Sequence, residues 1–154
     1  MQYAFAPGGG LPVQGILELV GPILEEVEMY STEHDWNVVF TRCSHPENHC
    51  SFTEQGGKWK RHAVKGTKEE KLLRGLQLFA GLYALPVFKK GEKADKEEYS
   101  GLENPDLHDY LLVRNIEQVD ICGVARNVCV QATYDAAIRL GYNATILENL
   151  CRSV

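Results

Sequence analysis

The chain has 154 residues, of which 44% are hydrophobic and 24% charged, and its formal net charge is -5 at pH 7. This composition is that of one ordinary globular domain, so a disordered tail, a collagen-like fibre and a membrane-spanning protein are excluded. The negative charge disfavours binding to nucleic acid or to an anionic membrane, and a small molecule is therefore the expected partner.

The first half of the chain is predicted to hold few regular elements. A loop rich in proline and glycine covers residues 1–12. A helix follows at about 22–31, with Pro22 in its first turn, and then a strand at Trp36–Thr41 that is rich in valine and aromatic residues. Residues 42–67 form a connection of a length that is usually functional in a compact domain, so we first look for a site there.

The second half alternates between helical and strand-like periods. The pattern predicts helices at about 68–82, 105–113 and 127–140 and strands at 86–89, 119–123 and 144–147. Strands that alternate with helices pair in parallel, so residues 1–154 are expected to form a single α/β domain with a layered sheet. Ligands of such sheets bind beyond the carboxyl ends of the strands, where the loops that begin near residues 42, 90 and 123 should meet.

The cysteines indicate a reducing compartment. There are five, at positions 43, 50, 122, 129 and 151, and the start of the sequence does not resemble a secretory signal peptide. An odd number with uneven spacing is not typical of a disulfide framework. We therefore expect a cytoplasmic protein whose cysteines are metal ligands, nucleophiles or small core residues.

The loop after residue 42 carries a candidate metal site. Cys43, His45, His49 and His62 supply one thiol and three imidazoles within a short stretch. Such soft and borderline ligands suit zinc, in a tetrahedral or an open site. The alternative is a set of unrelated surface side chains in a polar loop, which for any single histidine would be the better interpretation.

The other two loops carry a candidate nucleophile and a lysine. Cys129 is predicted to lie in the first turn of a helix after a strand, where the helix dipole and free backbone N–H groups favour a thiolate and can hold an oxyanion. The alternative is a small cysteine buried between helix and sheet. Lys90 ends a strand and could stand beside this thiol, although such lysines are usually solvated, and the charge run at 92–98 indicates an exposed face.

Taken in order, these motifs resemble the isochorismatase-like cysteine hydrolases, and specifically their nicotinamidase and pyrazinamidase branch. Five blocks carry the resemblance: Gln2, Phe5, the turn Pro7–Gly10 and Leu11; His45, Pro46, Asn48, His49, Ser51 and Phe52; Trp59, His62, Gly66 and Thr67; Lys90, Gly91, Tyr99 and Ser100; and Gly123, Val124, Ala125, Cys129, Val130, Thr133, Asp135 and Ala136. Each block is moderately specific, and five in the family's order are highly specific.

The resemblance implies a three-layer, Rossmann-like α/β fold with a parallel sheet, and hydrolysis of nicotinamide to nicotinate and ammonia through a cysteine thioester, as in NAD salvage. The resemblance implies that Cys129 is the nucleophile, that Lys90 stabilises its thiolate, and that the N–H groups of Ala125 and Cys129 form an oxyanion hole after a cis bond between Val124 and Ala125. It also implies a pocket for the substrate ring, lined by Phe5, Leu11, Trp59 and Tyr99. A divalent metal, with zinc preferred, is expected on Cys43, His45, His49 and His62.

Three features depart from the family pattern. Cys43 stands where the family has a metal-binding aspartate, which favours zinc over harder metals, and Ser44 stands where it has an aromatic residue. The family's proton-shuttling aspartate would fall one place before Met1, and its closing helical segment has no counterpart up to Val154. We therefore expect a fold that lacks its first strand and C-terminal helical segment, is incomplete at both ends, and has weakened activity and stability.

Two other functions remain open on the sequence. The pocket could take a different small amide, with Ser44 widening it. Without the aspartate, the chain could also be a non-catalytic homologue that binds zinc or a pyridine ligand through the same loop. A homo-oligomer is compatible with either function, whereas neither a nucleic acid nor a membrane is an expected partner.

Overall fold

The computed structural model describes residues 1–33 and 37–154, and in them helices alternate with strands. The elements are, in chain order, α1 Val20–Glu33, β1 Phe40–Cys43, α2 Arg74–Leu82, β2 Val87–Lys90, α3 Pro105–Val113, β3 Gln118–Val124, α4 Gln131–Arg139 and β4 Asn143–Arg152. The predicted order is confirmed. No helix of the described residues combines the length and apolar character that crossing a membrane would require.

Several element boundaries differ from the sequence prediction. The first strand was expected at Trp36–Thr41, but Trp36 lies outside the described residues and β1 extends to Cys43, because Arg42 and Cys43 pair with the last two residues of β2. The helix expected from residue 68 begins as a short 3-10 turn, and Lys71 is then extended before α2 starts. A π-helical turn at Arg126–Val130 replaces the predicted first turn of the last helix.

The strands pair in parallel, as predicted, but they form two separate sheets. β1 pairs with β2 and β3 with β4, and in the described part of the chain no hydrogen-bonded strand joins the two pairs. Residues of β1 and β3 line a groove of about 560 Å³, which Met1 also contacts. The single sheet expected from the sequence is thus divided, and the edges of β1 and β3 border the groove.

Helices cover both faces of these strands. On one side, α1 and α2 bury Ile23 and Leu76 in a core that includes Phe40 of β1. On the other side, α3 and α4 bury a second cluster, against which Val39 and Phe88 pack. Successive strand residues point to opposite faces, so Val39 and Phe40 enter different cores. The result is the expected three-layer arrangement of helices, strands and helices.

The groove between the sheets predicts a low free energy of unfolding for residues 1–154. Strand edges that border a groove pair with water instead of with another strand, and the apolar walls are incompletely packed. We expect unfolding at low urea concentration in circular dichroism, and binding of the dye ANS without denaturant. A steep single transition at high urea, with no ANS binding, would contradict this expectation.

Candidate active site

A small pocket lies at the carboxyl ends of β1, β2 and β3, where the sequence predicted that three loops would meet. All eleven predicted site residues line this cavity of about 30 Å³: Phe5, Leu11, Cys43, His45, His49, Trp59, His62, Lys90, Tyr99, Ala125 and Cys129. Glu97, Glu98 and Val128 line it as well and were not predicted. The two glutamates lie in a charge run that indicated an exposed face, and their position directly before Tyr99 was the only signal.

A buried lysine at the end of β2 joins two cysteines. Lys90 Nζ lies 3.2 Å from Cys43 Sγ and 3.4 Å from Cys129 Sγ, and it donates to the Glu98 carbonyl oxygen at 3.3 Å. The register of the parallel strands places Cys43 directly beside Lys90. Because Lys90 is only 5% exposed, its ammonium depends on these partners in place of water.

The charges of these three groups balance one another. Burial alone would lower the pKa of Lys90, but negative charge on Cys129 and Cys43 raises it above its usual value. A hydrogen bond from Cys129, opposed by burial and assisted by Lys90, lowers the pKa of Cys43 to about 5. The same hydrogen bond, together with burial, raises the pKa of Cys129. The two thiols therefore share one proton and, at neutral pH, carry one negative charge beside the ammonium.

The nucleophile candidate sits on an unusual turn after β3. The peptide bond between Val124 and Ala125 is cis, as the resemblance implied. The Ala125 carbonyl accepts from the N–H groups of both Val128 and Val130, which closes the π-helical turn that carries Cys129. Thr133 Oγ donates to the Cys129 carbonyl at 2.7 Å and links the turn to α4. These bonds hold Cys129 against the end of Lys90.

Three buried histidines pack together on the opposite wall. The ring centroids of His45 and His49 are 4.2 Å apart, and those of His45 and His62 are 5.0 Å apart. Nδ1–H of His45 donates to the Gly91 carbonyl at 2.9 Å, and Nδ1–H of His62 donates to the Lys60 carbonyl at 2.7 Å. Burial lowers the pKa of all three, so they are neutral at pH 7, the form in which imidazole binds metals.

The donors suit a metal, although they are not arranged as a coordination sphere. Nδ1 bonds to carbonyl oxygens, as in His45 and His62, are typical of histidines that bind a metal through Nε2. His49 instead donates Nε2–H to the Lys96 carbonyl at 3.1 Å, and the Cys43 sulfur is held by Lys90 and Cys129. Over residues 1–33 and 37–154, no three His, Cys, Asp or Glu side chains are placed to hold an ion.

Aromatic side chains form the remaining wall. Trp59 Nε1–H donates to the Tyr99 hydroxyl at 3.0 Å, and that hydroxyl donates to Glu97 Oε2 at 2.7 Å. Phe5 packs against His62 with their ring centroids 5.8 Å apart. The pocket therefore has an aromatic side whose polar atoms are paired with one another and with Glu97.

Ser44 does not widen this pocket, as one hypothesis from the sequence required. Its side chain is fully buried, and Oγ donates to Glu70 Oε1 at 2.8 Å. Glu70 also accepts from the Gly66 N–H at 2.8 Å and pairs with Arg42 at 3.3 Å. Ser44 thus braces the histidine loop through a carboxylate that sequence reasoning had not singled out.

Gln2 fixes the position of Cys43. Its side-chain amide donates to the carbonyl oxygens of Cys43 and Glu70 at 2.8 and 2.9 Å, and its Oε1 accepts from the Cys43 N–H at 2.8 Å. Both backbone groups of Cys43 are therefore paired with one buried side chain. This pairing limits how far the cysteine can move from Lys90.

Comparison with known proteins decides the family, because the model of the isochorismatase domain matches residues 1–154. The chain belongs to the isochorismatase family, in its nicotinamidase branch. The nicotinamidase of Saccharomyces cerevisiae is 29% identical over 180 residues, covering 97% of this chain and 82% of that protein. The solved pyrazinamidase of Pyrococcus horikoshii in complex with zinc is 34% identical, with a TM-score of 0.87 over 100% of this chain and 83% of its own.

The isochorismatase relatives also include enzymes with another named substrate. The ureidoacrylate amidohydrolase of Azorhizobium caulinodans is 30% identical over 166 residues, covering 97% of this chain and 71% of that protein. The relatives thus share amide hydrolysis and differ in the amide.

Replacement of the buried lysine tests the charge balance around the thiols. In Lys90→Met the positive charge is lost, so the first thiol to ionise should do so at higher pH. We expect alkylation of Cys43 and Cys129 by iodoacetamide at pH 6 to slow by about tenfold or more, since one pKa unit changes the thiolate fraction about tenfold. Mass spectrometry of the labelled peptides measures this. Lys89→Met is the matched control, and an equal effect of both variants would contradict the assignment.

Replacement of Glu70 tests the support of the histidine loop. Glu70→Ala leaves the buried Ser44 hydroxyl and the Gly66 N–H without their acceptor, which costs about 1–3 kcal/mol of unfolding free energy. Urea denaturation monitored by tryptophan fluorescence measures the loss. Glu54→Ala, at an exposed carboxylate of the same loop, should change the unfolding free energy little. A Glu70→Ala variant as stable as this control would show that the network is not important.

Proposed function

We propose that this protein hydrolyses the carboxamide of nicotinamide to nicotinate and ammonia. The observation that carries the proposal is the buried contact between Lys90 Nζ and Cys129 Sγ, at 3.4 Å, in a pocket with aromatic walls. A thiol beside a fixed ammonium is held as a nucleophile, and a flat apolar wall suits a pyridine ring. The family resemblance of the chain supports the same chemistry.

The reaction proceeds in two halves at Cys129. Cys129 first passes its proton to Cys43, and its thiolate then attacks the carboxamide carbon. The N–H groups of Ala125 and Cys129 hold the resulting oxyanion. The carbon–nitrogen bond then breaks, the leaving nitrogen takes up a proton and departs as ammonia, and a thioester remains. Water attacks the thioester, the carbon–sulfur bond breaks, and nicotinate leaves while the thiolate of Cys129 is restored.

Proton transfer at Cys129 is a separate requirement of this reaction. Lys90 contacts the Cys129 sulfur at 3.4 Å, and over residues 1–33 and 37–154 no carboxylate hydrogen-bonds to that sulfur. Carboxylates accept and return protons readily near neutral pH, whereas a strongly held ammonium does not. The role proposed for Lys90 is therefore to stabilise the thiolate and not to carry protons.

Charge at the pocket favours an uncharged amide. Glu97 and Glu98 line the cavity, and the one lysine in its wall is occupied by two sulfurs and a carbonyl. An acrylate substrate carries a carboxylate, which two nearby glutamates would repel and for which no free lysine or arginine is present among the residues lining this pocket. This supports nicotinamide over ureidoacrylate.

A divalent metal, with zinc preferred, fits the chemistry of the histidine wall. His45 and His62 would bind through Nε2, and His49 would join them after its bond to the Lys96 carbonyl breaks. A bound metal would supply a Lewis-acid site for a pyridine nitrogen or a water molecule. His45 and His62, whose protons are on Nδ1, could accept the ion without losing protons, whereas His49 would first have to give up the proton on Nε2.

An ammonia assay with a substrate panel tests the proposal. We expect ammonia from nicotinamide, little or none from ureidoacrylate, and a fall to background in Cys129→Ser because the nucleophile is lost. Cys50→Ser, outside the pocket, is the matched control and should keep the activity. Release from ureidoacrylate alone would contradict the proposed substrate. Binding of nicotinamide without turnover in the intact chain would instead favour a non-catalytic pyridine-binding protein.

A further inference from the structure

We propose that Cys43 and Cys129 form a reversible disulfide that switches the nucleophile off. The two sulfurs contact the same Lys90 Nζ, at 3.2 and 3.4 Å, and both line the same pocket. All five cysteines are free thiols in the structure. This pair belongs to two different segments, the end of β1 and the turn before α4, and is brought together only by the fold.

The environment of the pair suits thiol oxidation. The reactive form of a cysteine is the thiolate, and a neighbouring ammonium stabilises it. Both sulfurs line the pocket, so a small oxidant that enters it reaches them. A second thiol within contact then resolves the first oxidation product before further oxidation.

The oxidation balances with hydrogen peroxide as the oxidant. Cys129 passes its proton to Cys43, and its thiolate attacks one peroxide oxygen. The oxygen–oxygen bond breaks, a sulfenic acid forms, and the hydroxide that leaves takes the proton from Cys43 and becomes water. The Cys43 thiolate then attacks the Cys129 sulfur, the sulfur–oxygen bond breaks, and the second hydroxide takes a proton from solvent. The two sulfurs lose two electrons in all, and peroxide is reduced to two waters. The sulfurs must close to about 2.05 Å for the bond.

Oxidation would remove the nucleophile and the charge balance together. A disulfide carries no negative charge, so the Lys90 ammonium would lose both of its sulfur partners and keep only the Glu98 carbonyl. A buried ammonium without a counter-charge is costly, which makes the disulfide easier to reduce than one in a neutral site. The modification is thus reversible by ordinary cellular thiols.

The experiment maps the bond directly, independently of the substrate. Trypsin cleaves after Arg42 and Lys58 and after Arg126 and Arg139, so it yields peptides 43–58 and 127–139. The first peptide also contains Cys50, so Cys50→Ser protein is treated with limiting peroxide, alkylated and digested without reductant. We expect these two peptides to be linked, with two hydrogens fewer than their sum, and to separate with dithiothreitol. Cys129 found unlinked, or linked to Cys122 or Cys151, would overturn the proposal.

Two variants and an activity measurement complete the test. The variants Cys43→Ser and Cys43→Ala remove the second thiol, and circular dichroism checks that they fold. In both, peroxide should oxidise Cys129 to sulfinic acid, which dithiothreitol does not reverse. The control Cys151→Ser should behave as the parent chain. If Cys129 in these Cys43 variants were as well protected from sulfinic acid formation as in the parent, Cys43 would not be the resolving thiol.

Ammonia release should stop when the disulfide forms and return when it is reduced. A linked pair in a chain without amidase activity would refute the proposed function and leave the disulfide established.

Discussion

The site depends on a buried positive charge. Lys90 is almost fully removed from water at the end of a strand, and an ammonium in that position requires negative charge in direct contact. The Cys43 and Cys129 sulfurs provide it. The lysine keeps one thiolate present at neutral pH, and the thiolate in turn keeps the lysine protonated. The proposed role of Cys129 as nucleophile and its proposed oxidation by peroxide both depend on this mutual compensation.

The fold serves to bring these groups together from distant parts of the chain. Parallel pairing aligns Cys43 with Lys90, and the cis bond and π-helical turn after β3 present Cys129 to the same point. Gln2 and Glu70, both buried, secure the loop that supports one side of the pocket. The groove between β1 and β3 lies directly beneath this site and is lined by Lys90 and Cys129 as well. The least packed part of the molecule therefore adjoins the part on which its chemistry depends.

Much of the architecture could be predicted because it is encoded locally. The period of apolar residues and the proline at the start of α3 predicted that helix to the residue. Boundaries set by pairing could not be predicted in this way. β1 extends through Arg42 and Cys43 because β2 offers hydrogen bonds there. The π-helical turn replaces a helical one where the Ala125 carbonyl accepts from both Val128 and Val130. The division into two sheets depends on which strands pair with each other. Pairing joins segments far apart in the chain, so the local residue pattern does not predict it.

The residue pattern alone predicts the alternation of helices and strands, the loops that meet at one end of the strands, and the residue types that collect there. Local spacing contains that information, since the residues of a motif such as the one around Cys129 lie close together in the chain. What those residues do to each other depends on the fold. It placed the sulfur of Cys43 against Lys90 and Cys129 and turned Ser44 toward Glu70, and it brought Glu97 to the pocket through Tyr99. These are contacts between segments far apart in the chain. Strand register and burial set the distances between the side chains, and those distances determine their hydrogen bonds and protonation states.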